Sequence, residues 1–143
     1  MYYEALADEL MSIKADLLRV PASQQLSKIV KGEMFVLEYL NKHDGIIHPK
    51  ELSEKMAVST ARISSLLNKM EEKKLIIRKE DPQDSRQIVV ELTSEGTKTI
   101  KEKRERVIRH VAQMLESLGP EDAEEYIRIQ KKIIRGFHLR QGE

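Results

Sequence analysis

The chain has 143 residues, enough for one cooperative unit, and its mix of 34% charged, 40% hydrophobic and 4% aromatic residues is that of a soluble, helix-rich protein. With no cysteine there is no disulfide frame, no thiolate nucleophile, no cysteine-bound zinc and no thiol redox switch. A formal net charge of +1 does not announce a nucleic-acid partner, so any basic surface has to come from local segregation of charge.

No apolar run is long enough to cross a bilayer, and Met1-Tyr2-Tyr3-Glu4 has none of the features of a signal peptide, so a cytoplasmic location without membrane attachment is expected. Acidic residues prevail near the start (Glu4, Asp8, Glu9, Asp16), whereas Arg62, Lys69, Lys73, Lys74, Arg78, Lys79 and Arg86 gather in mid-chain.

Leu6, Leu10, Ile13 and Leu17, widened by Met11 and Leu18, predict an amphipathic helix ending near Val20-Pro21. Its apolar stripe needs a cover, either the domain's own core or a second copy. Ala22-Ser23-Gln24-Gln25 reads as a polar connection leading through Leu26, Ile29 and Val30 to Gly32. A buried helix over Met34 to Leu40 follows, closed by Asn41 to Gly45, with Gly45 suited to the left-handed position after a helix end. Ile46-Ile47 has room for a single bridging strand of the kind that pairs with a wing.

Pro49 and Glu51 favour a helix start, and Leu52 and Met56 give that short helix an inner face. Ser59 is a good N-cap for a second helix from Thr60 to Lys73, with Ile63, Leu66, Leu67 and Met70 at helical spacing. Two helices about a tight turn, the second polar outside, form the helix-turn-helix pattern. Its outer face carries Thr60, Ala61, Arg62, Ser64, Ser65, Asn68 and Lys69. Such a helix fits the major groove: Arg62 suits guanine, the hydroxyls of Ser59, Thr60, Ser64 and Ser65 suit bases or phosphates, and Lys69 suits the backbone.

Leu75 to Lys79 and Gln87 to Leu92 read as two β runs around the turn Asp81-Pro82-Gln83-Asp84-Ser85-Arg86. Gln83, Ser85 and Arg86 project from this wing, with Arg86 offering a cation to the minor groove or the phosphate backbone. Asp84, two residues before Arg86, is placed to hold that arginine in a salt bridge that stiffens the wing. The fold class expected is mainly α with a small β-hairpin wing, a winged helix-turn-helix flanked by N- and C-terminal dimerisation helices.

The run Asp81-Pro82-Gln83-Asp84-Ser85-Arg86, five further residues, Leu92-Thr93 and then Gly96 resembles the wing signature of the MarR family of bacterial transcription regulators. The resemblance extends to the order of elements from Leu6 to Phe137. It implies a homodimeric winged-helix DNA binder whose terminal helices interlock, and a repressor released by a small, often phenolic or anionic, effector. Three positions depart from the pattern. Ser65 stands where members commonly carry arginine, which shifts base reading toward Arg62, and Gln83 replaces a frequent basic or amide residue. Lys74 stands where glycine usually ends the recognition helix, so it either takes the left-handed conformation at some cost or the helix ends differently.

Thr93 and Glu95 open a long helix with Ile100, Val107, Val111, Met114 and Leu118 on one face, flanked by Lys101, Lys103, Arg104, Arg106 and Arg109. Gly119-Pro120 ends it and starts another, on which Tyr126, Ile129, Ile133 and Phe137, flanked by Ile127 and Ile134, form a broad apolar band. Together with the stripe of Leu6, Leu10, Ile13 and Leu17, this is more apolar surface than a monomer hides, and it predicts a homodimer. Such a dimer aims paired recognition helices at a pseudo-palindromic site on double-stranded DNA, half-sites roughly 34 Å apart. The expected division is residues 1–31 as N-terminal dimerisation helix and connection, 32–92 as the DNA-binding domain, and 93–143 as the C-terminal long helix and dimerisation helix.

Glycine-rich phosphate loops, nucleophile elbows and HExxH spacing are missing, so no enzyme and no catalytic residue is expected. No cofactor and no metal site is assigned. His43 meeting His110 beside a carboxylate is the one arrangement that would make a zinc-responsive regulator of the same fold. Candidates for an effector site come from the first helix, Phe35 and Tyr39, and the inner side of the long helix. A helical protein–protein adaptor, with the wing a mere hairpin, is the rival reading.

Overall fold

Apolar residues recurring at three- and four-residue steps wind most of this chain into helices, and one β-branched stretch folds back on itself as a hairpin. The computed structural model describes residues 1–44 and 46–142; the expectation for Gly45 falls outside the described residues. Helices α1 (Tyr2–Leu17), α2 (Pro21–Lys28), α3 (Gly32–Lys42), α4 (Pro49–Met56) and α5 (Thr60–Glu72) precede strands β1 (Ile76–Glu80) and β2 (Ile88–Leu92). The long α6 (Ser94–Leu118) and α7 (Pro120–Gln141) complete the order. Among the described residues no helix is long and apolar enough to cross a membrane.

One core joins the helix-turn-helix to the hairpin and the first half of α6. Val36, Leu37 and Leu40 of α3 meet Leu52 of α4, Ile63, Leu67 and Met70 of α5, Ile76, Val90, and Ile100 and Val107 of α6. Each such side chain contributes about 1.5–3 kcal/mol relative to exposure, which makes this cluster the main source of stability. The predicted inner face of α5 is inward as expected, with Leu66 half-buried at its edge.

Residues Ala22 to Gln25 are not a connection but the first turns of α2. Pro21 occupies the first helical turn after an extended Val20, where its missing N–H is no loss. Ala22, Leu26 and Ile29, spaced i, i+4, i+7, turn the sparse apolar content of this stretch toward the rest of the chain, and Ala22 is buried. The helix packs against α6. Four polar letters in a row masked a pattern that only the flanking residues complete.

Strands β1 and β2 pair antiparallel from Ile76↔Leu92 to Glu80↔Ile88. Ile47 bridges to the outer edge of β2, its carbonyl accepting the Val90 N–H at 2.9 Å, and among the described residues this is a single bond rather than a third strand. Leu75, expected in the strand, stays outside the ladder because its N–H returns to the Met70 carbonyl at 3.0 Å. That bond, with Lys74 N–H to Glu71 O at 2.9 Å, is a Schellman closure of α5 whose left-handed residue is Lys74 at φ 64°. Of the two outcomes open to this lysine, the chain takes the left-handed one. Lys74→Gly removes the Cβ penalty, and we expect it to raise stability by about 1 kcal/mol, a shift of roughly 2–4 °C in thermal unfolding followed by circular dichroism.

Thr93 caps α6 with its hydroxyl accepting the Gly96 N–H at 2.9 Å, while donating to the Lys74 carbonyl at 2.6 Å. The Thr93 N–H goes to the Leu75 carbonyl at 3.1 Å. The start of β1, the end of β2 and the start of α6 therefore meet in one knot.

At the two ends of the chain the apolar residues are uncovered. No residue of α1 is buried, and Leu6, Leu10, Ile13 and Leu17 are all exposed. On α7, Tyr126, Ile129, Ile133 and Phe137 are exposed as well.

Candidate nucleic-acid interface

The turn between α4 and α5 is made by Ala57 in the left-handed region at φ 54°. The Val58 N–H returns to the Ser53 carbonyl at 3.2 Å, and the Ser53 hydroxyl, buried, donates to the Val58 carbonyl at 2.6 Å. Ser53 was not singled out from the sequence; a serine on the inner face of an otherwise apolar helix just before the turn was its only signal. Ser59 then caps α5 as expected, its hydroxyl accepting the Arg62 N–H at 3.1 Å.

Thr60, Ala61, Arg62, Ser64, Ser65, Asn68 and Lys69 all lie exposed along one side of α5. Among the described residues neither Arg62 nor Lys69 has an ion-pair partner, and both rim, with Lys31 and Ser65, a cavity of about 330 Å³ floored by Met56, Val58 and Leu66. Neighbouring cations are committed elsewhere: Lys73 to Glu33 at 2.6 Å, Lys79 to Glu91 at 2.9 Å, Arg78 to Glu71 at 3.1 Å. The basic surface of α5 is thus narrower than the count of lysines and arginines in the sequence suggested.

Asn68 is held from the side. Arg78 on β1 donates from Nη2 to Asn68 Oδ1 at 2.5 Å and to Glu71 Oε1, while its backbone N–H donates to Glu71 Oε2 at 3.1 Å. The Arg78 contacts hold the Glu71 carboxyl below its usual range.

The wing is built on two aspartates. Asp81, buried at the root, accepts the Gln83 N–H at 2.9 Å on Oδ1 and faces His48 Nε2 at 2.8 Å on Oδ2. The Gln83 amide and then His48 hold its pKa below the usual aspartate range. Asp84 takes both the backbone N–H and the Nε of Arg86 at 3.1 Å, so the salt bridge expected within the wing is formed. Arg86 lowers the Asp84 pKa, by its side chain first and its amide second. Depressed carboxyls contribute stability above the ordinary aspartate range and lose it as pH falls through their lowered values, so both aspartates are ionised and contribute fully at neutral pH. Gln83, Ser85 and Arg86 are exposed on the tip, with the Arg86 side chain 90% accessible.

Other polar groups lie behind the interface. Tyr39 donates its hydroxyl to Glu51 Oε2, and that bond, with burial and the charge of Glu51, pushes the phenol up to about 12. Tyr39 also stacks between Phe35 and His43. His43 Nδ1 is engaged with the Tyr39 carbonyl and His110 Nδ1 with the Arg106 carbonyl, both at 2.8 Å on their own helices. Among the described residues no group of three or more metal-capable side chains converges. A second cavity, about 340 Å³, lies between α2, α3 and α6 and is lined by Leu26, Ile29, Val107, Ile108 and Val111. Glu38 sits in its wall: Oε1 pairs with Arg104 and, at 3.4 Å, Lys42, whereas Oε2 is buried without a partner among the described residues. Phe35, Tyr39 and α1, weighed from sequence as effector contacts, do not line it.

Comparison with known proteins agrees with this geometry. Residues 24–87, which hold α3 to α5, β1 and most of the wing, match the MarR family. The HTH-type transcriptional repressor MdtR of Bacillus subtilis is 32% identical over 74 residues, 52% of this chain and 47% of that protein. The chain spans about half the length of the curated relatives it matches. The YusO protein of Bacillus subtilis superposes with a TM-score of 0.71 at 24% identity, covering 94% of this chain and 98% of that one. The S. aureus MepR–DNA complex gives 0.64 at 22% identity, covering 90% and 96%. With the wing signature formed in space as well as in sequence, the chain has the winged helix-turn-helix fold, and its residues 24–87 are similar to the MarR family.

Proposed function

We propose that this protein is a homodimeric, sequence-specific regulator of transcription that binds pseudo-palindromic double-stranded DNA. The observation that carries the reading is the exposed side of α5, with Thr60, Arg62, Ser64, Ser65, Asn68 and Lys69, together with a hairpin tied to α5 by Arg78 and carrying at its tip an exposed Arg86 held by Asp84. The N-terminus of α5 favours phosphate, its outer residues suit base edges, and the wing reaches the neighbouring backbone or minor groove. The likeness to a MepR–DNA complex and to the repressor MdtR supports DNA binding and repression as the mode.

The second copy covers the apolar faces of α1 and α7, whose Leu6, Leu10, Ile13, Leu17, Tyr126, Ile129, Ile133 and Phe137 are exposed in one chain. Two-fold pairing spaces the α5 helices by about one turn of the duplex, roughly 34 Å. A small-molecule effector releases the repressor from the cavity between α2, α3 and α6, a place where the reading head meets the helix leading to the dimer end.

Sedimentation and duplex titration test this together. The expected result is a dimer at micromolar concentration whose duplex affinity falls about 10³-fold between 50 and 200 mM salt, as for about six phosphate contacts. A monomer, or a binding constant indifferent to salt, overturns the reading.

A further inference from the structure

We propose that Arg78 is a positioning residue that fixes the hydrogen-bond polarity of Asn68, so that the recognition helix offers a donor, and not a donor–acceptor pair, at that point of the major groove. The inference rests on the proposal that α5 enters the groove.

A free asparagine amide presents an acceptor and a donor side by side and suits adenine, whose N7 accepts and whose N6 donates. Which way the amide faces is ordinarily open, since oxygen and nitrogen are nearly the same shape. Here chemistry decides it. A guanidinium carries only donors, so the group within 2.5 Å of Arg78 Nη2 has to be the oxygen. The arginine cannot swing away to release it, because Glu71 holds both its guanidinium and its backbone N–H. Asn68 and Glu71 are three residues apart on α5 and grip one residue of β1 from the same face.

With its oxygen drawn toward the hairpin, Asn68 turns its NH₂ group to the exposed side of α5. Guanine offers two acceptors there, O6 and N7, one for each N–H of the amide, whereas adenine accepts only at N7 and sets its own N6 donor against the second N–H, and thymine accepts only at O4. The contacted position therefore holds a guanine·cytosine pair, and its identity depends on a strand residue that itself touches no base.

Selection of bound duplexes from a random pool tests this with the full-length protein, Asn68→Ala, Arg78→Gln and Arg78→Lys, each checked for dimer formation. Asn68→Ala identifies the position by losing preference there alone, with about a five-fold loss of affinity. The parent protein selects guanine·cytosine at that position. Arg78→Gln relaxes it toward adenine·thymine because the amide is free to turn, and Arg78→Lys, which keeps a donor-only partner, restores guanine·cytosine. Adenine·thymine in the parent, no position altered by Asn68→Ala, or an unchanged preference in Arg78→Gln each overturns the proposal. If Arg78→Gln does not fold, Glu71→Gln, which loosens the arginine in place, takes its role with the same expected shift. A parent protein that selects no duplex at all overturns the underlying function instead, which keeps the two failures apart.

Discussion

Alanine at Arg62 or at Arg86 lowers affinity for a selected duplex by about 30-fold while the dimer persists. In the proposed two-fold complex each residue occurs twice, and one arginine contact is worth about 1 kcal/mol at the low end, so each variant forfeits about 2 kcal/mol. The two losses differ in kind. Arg62 lies near the start of α5 with no ion-pair partner among the described residues, and its removal relaxes preference at one base pair of each half-site. Arg86, on the wing tip, is positioned by Asp84; in the proposed complex it reaches backbone or minor groove, so its removal is expected to weaken all sequences alike and flatten the salt dependence. Neither change touches the core, and α5 tolerates alanine well. Fluorescence anisotropy at several salt concentrations, with light scattering for the dimer, measures both. Binding unaltered in both variants rules out this surface.

Gly96→Ala unfolds the protein far more readily than any surface change. A Cβ at Gly96 would stand 2.0 Å from the Leu75 carbonyl oxygen and 3.1 Å from Leu92 Cδ2. The first obstacle is backbone that already accepts the Thr93 N–H, so it cannot retreat without breaking the knot between hairpin and α6. Overpacking against fixed backbone costs about 3 kcal/mol, or roughly 10 °C in the thermal midpoint for a domain of this size. Gly136→Ala is the control. It sits inside α7 with nothing nearer than Arg140 Nη2 at 3.8 Å, and alanine there gains about 0.5–1 kcal/mol from helix propensity. Equal midpoints for the two variants would falsify the steric account of Gly96.

Local signals made the architecture readable. Ser59 and Thr93 cap the helices they were expected to cap, because a hydroxyl before a periodic apolar run has one good use. The hairpin and its internal Asp84–Arg86 pair were equally visible, since every residue involved lies within a few positions of the others. Helix α2 was missed because its apolar positions are interrupted by Ser23, Gln24 and Gln25, and its partner surface on α6 is remote in sequence. The side-chain ties between elements distant in sequence were not readable at all. His48 meets Asp81 across 33 positions, and Arg104 reaches Glu38 across 66. Arg78 looked like one more cation of a basic face until β1 brought it against Asn68 and Glu71.

The root of the hairpin touches the first helix of the pair through His48, and its first strand touches the second helix through Arg78. In the proposed complex, a finger moored to both helices works as a fixed caliper: the separation between what the helix feels and what the tip feels is set inside the protein and not adjusted on the duplex. Changing the spacing this caliper spans therefore requires altering a mooring, even though neither mooring residue needs to meet the nucleic acid.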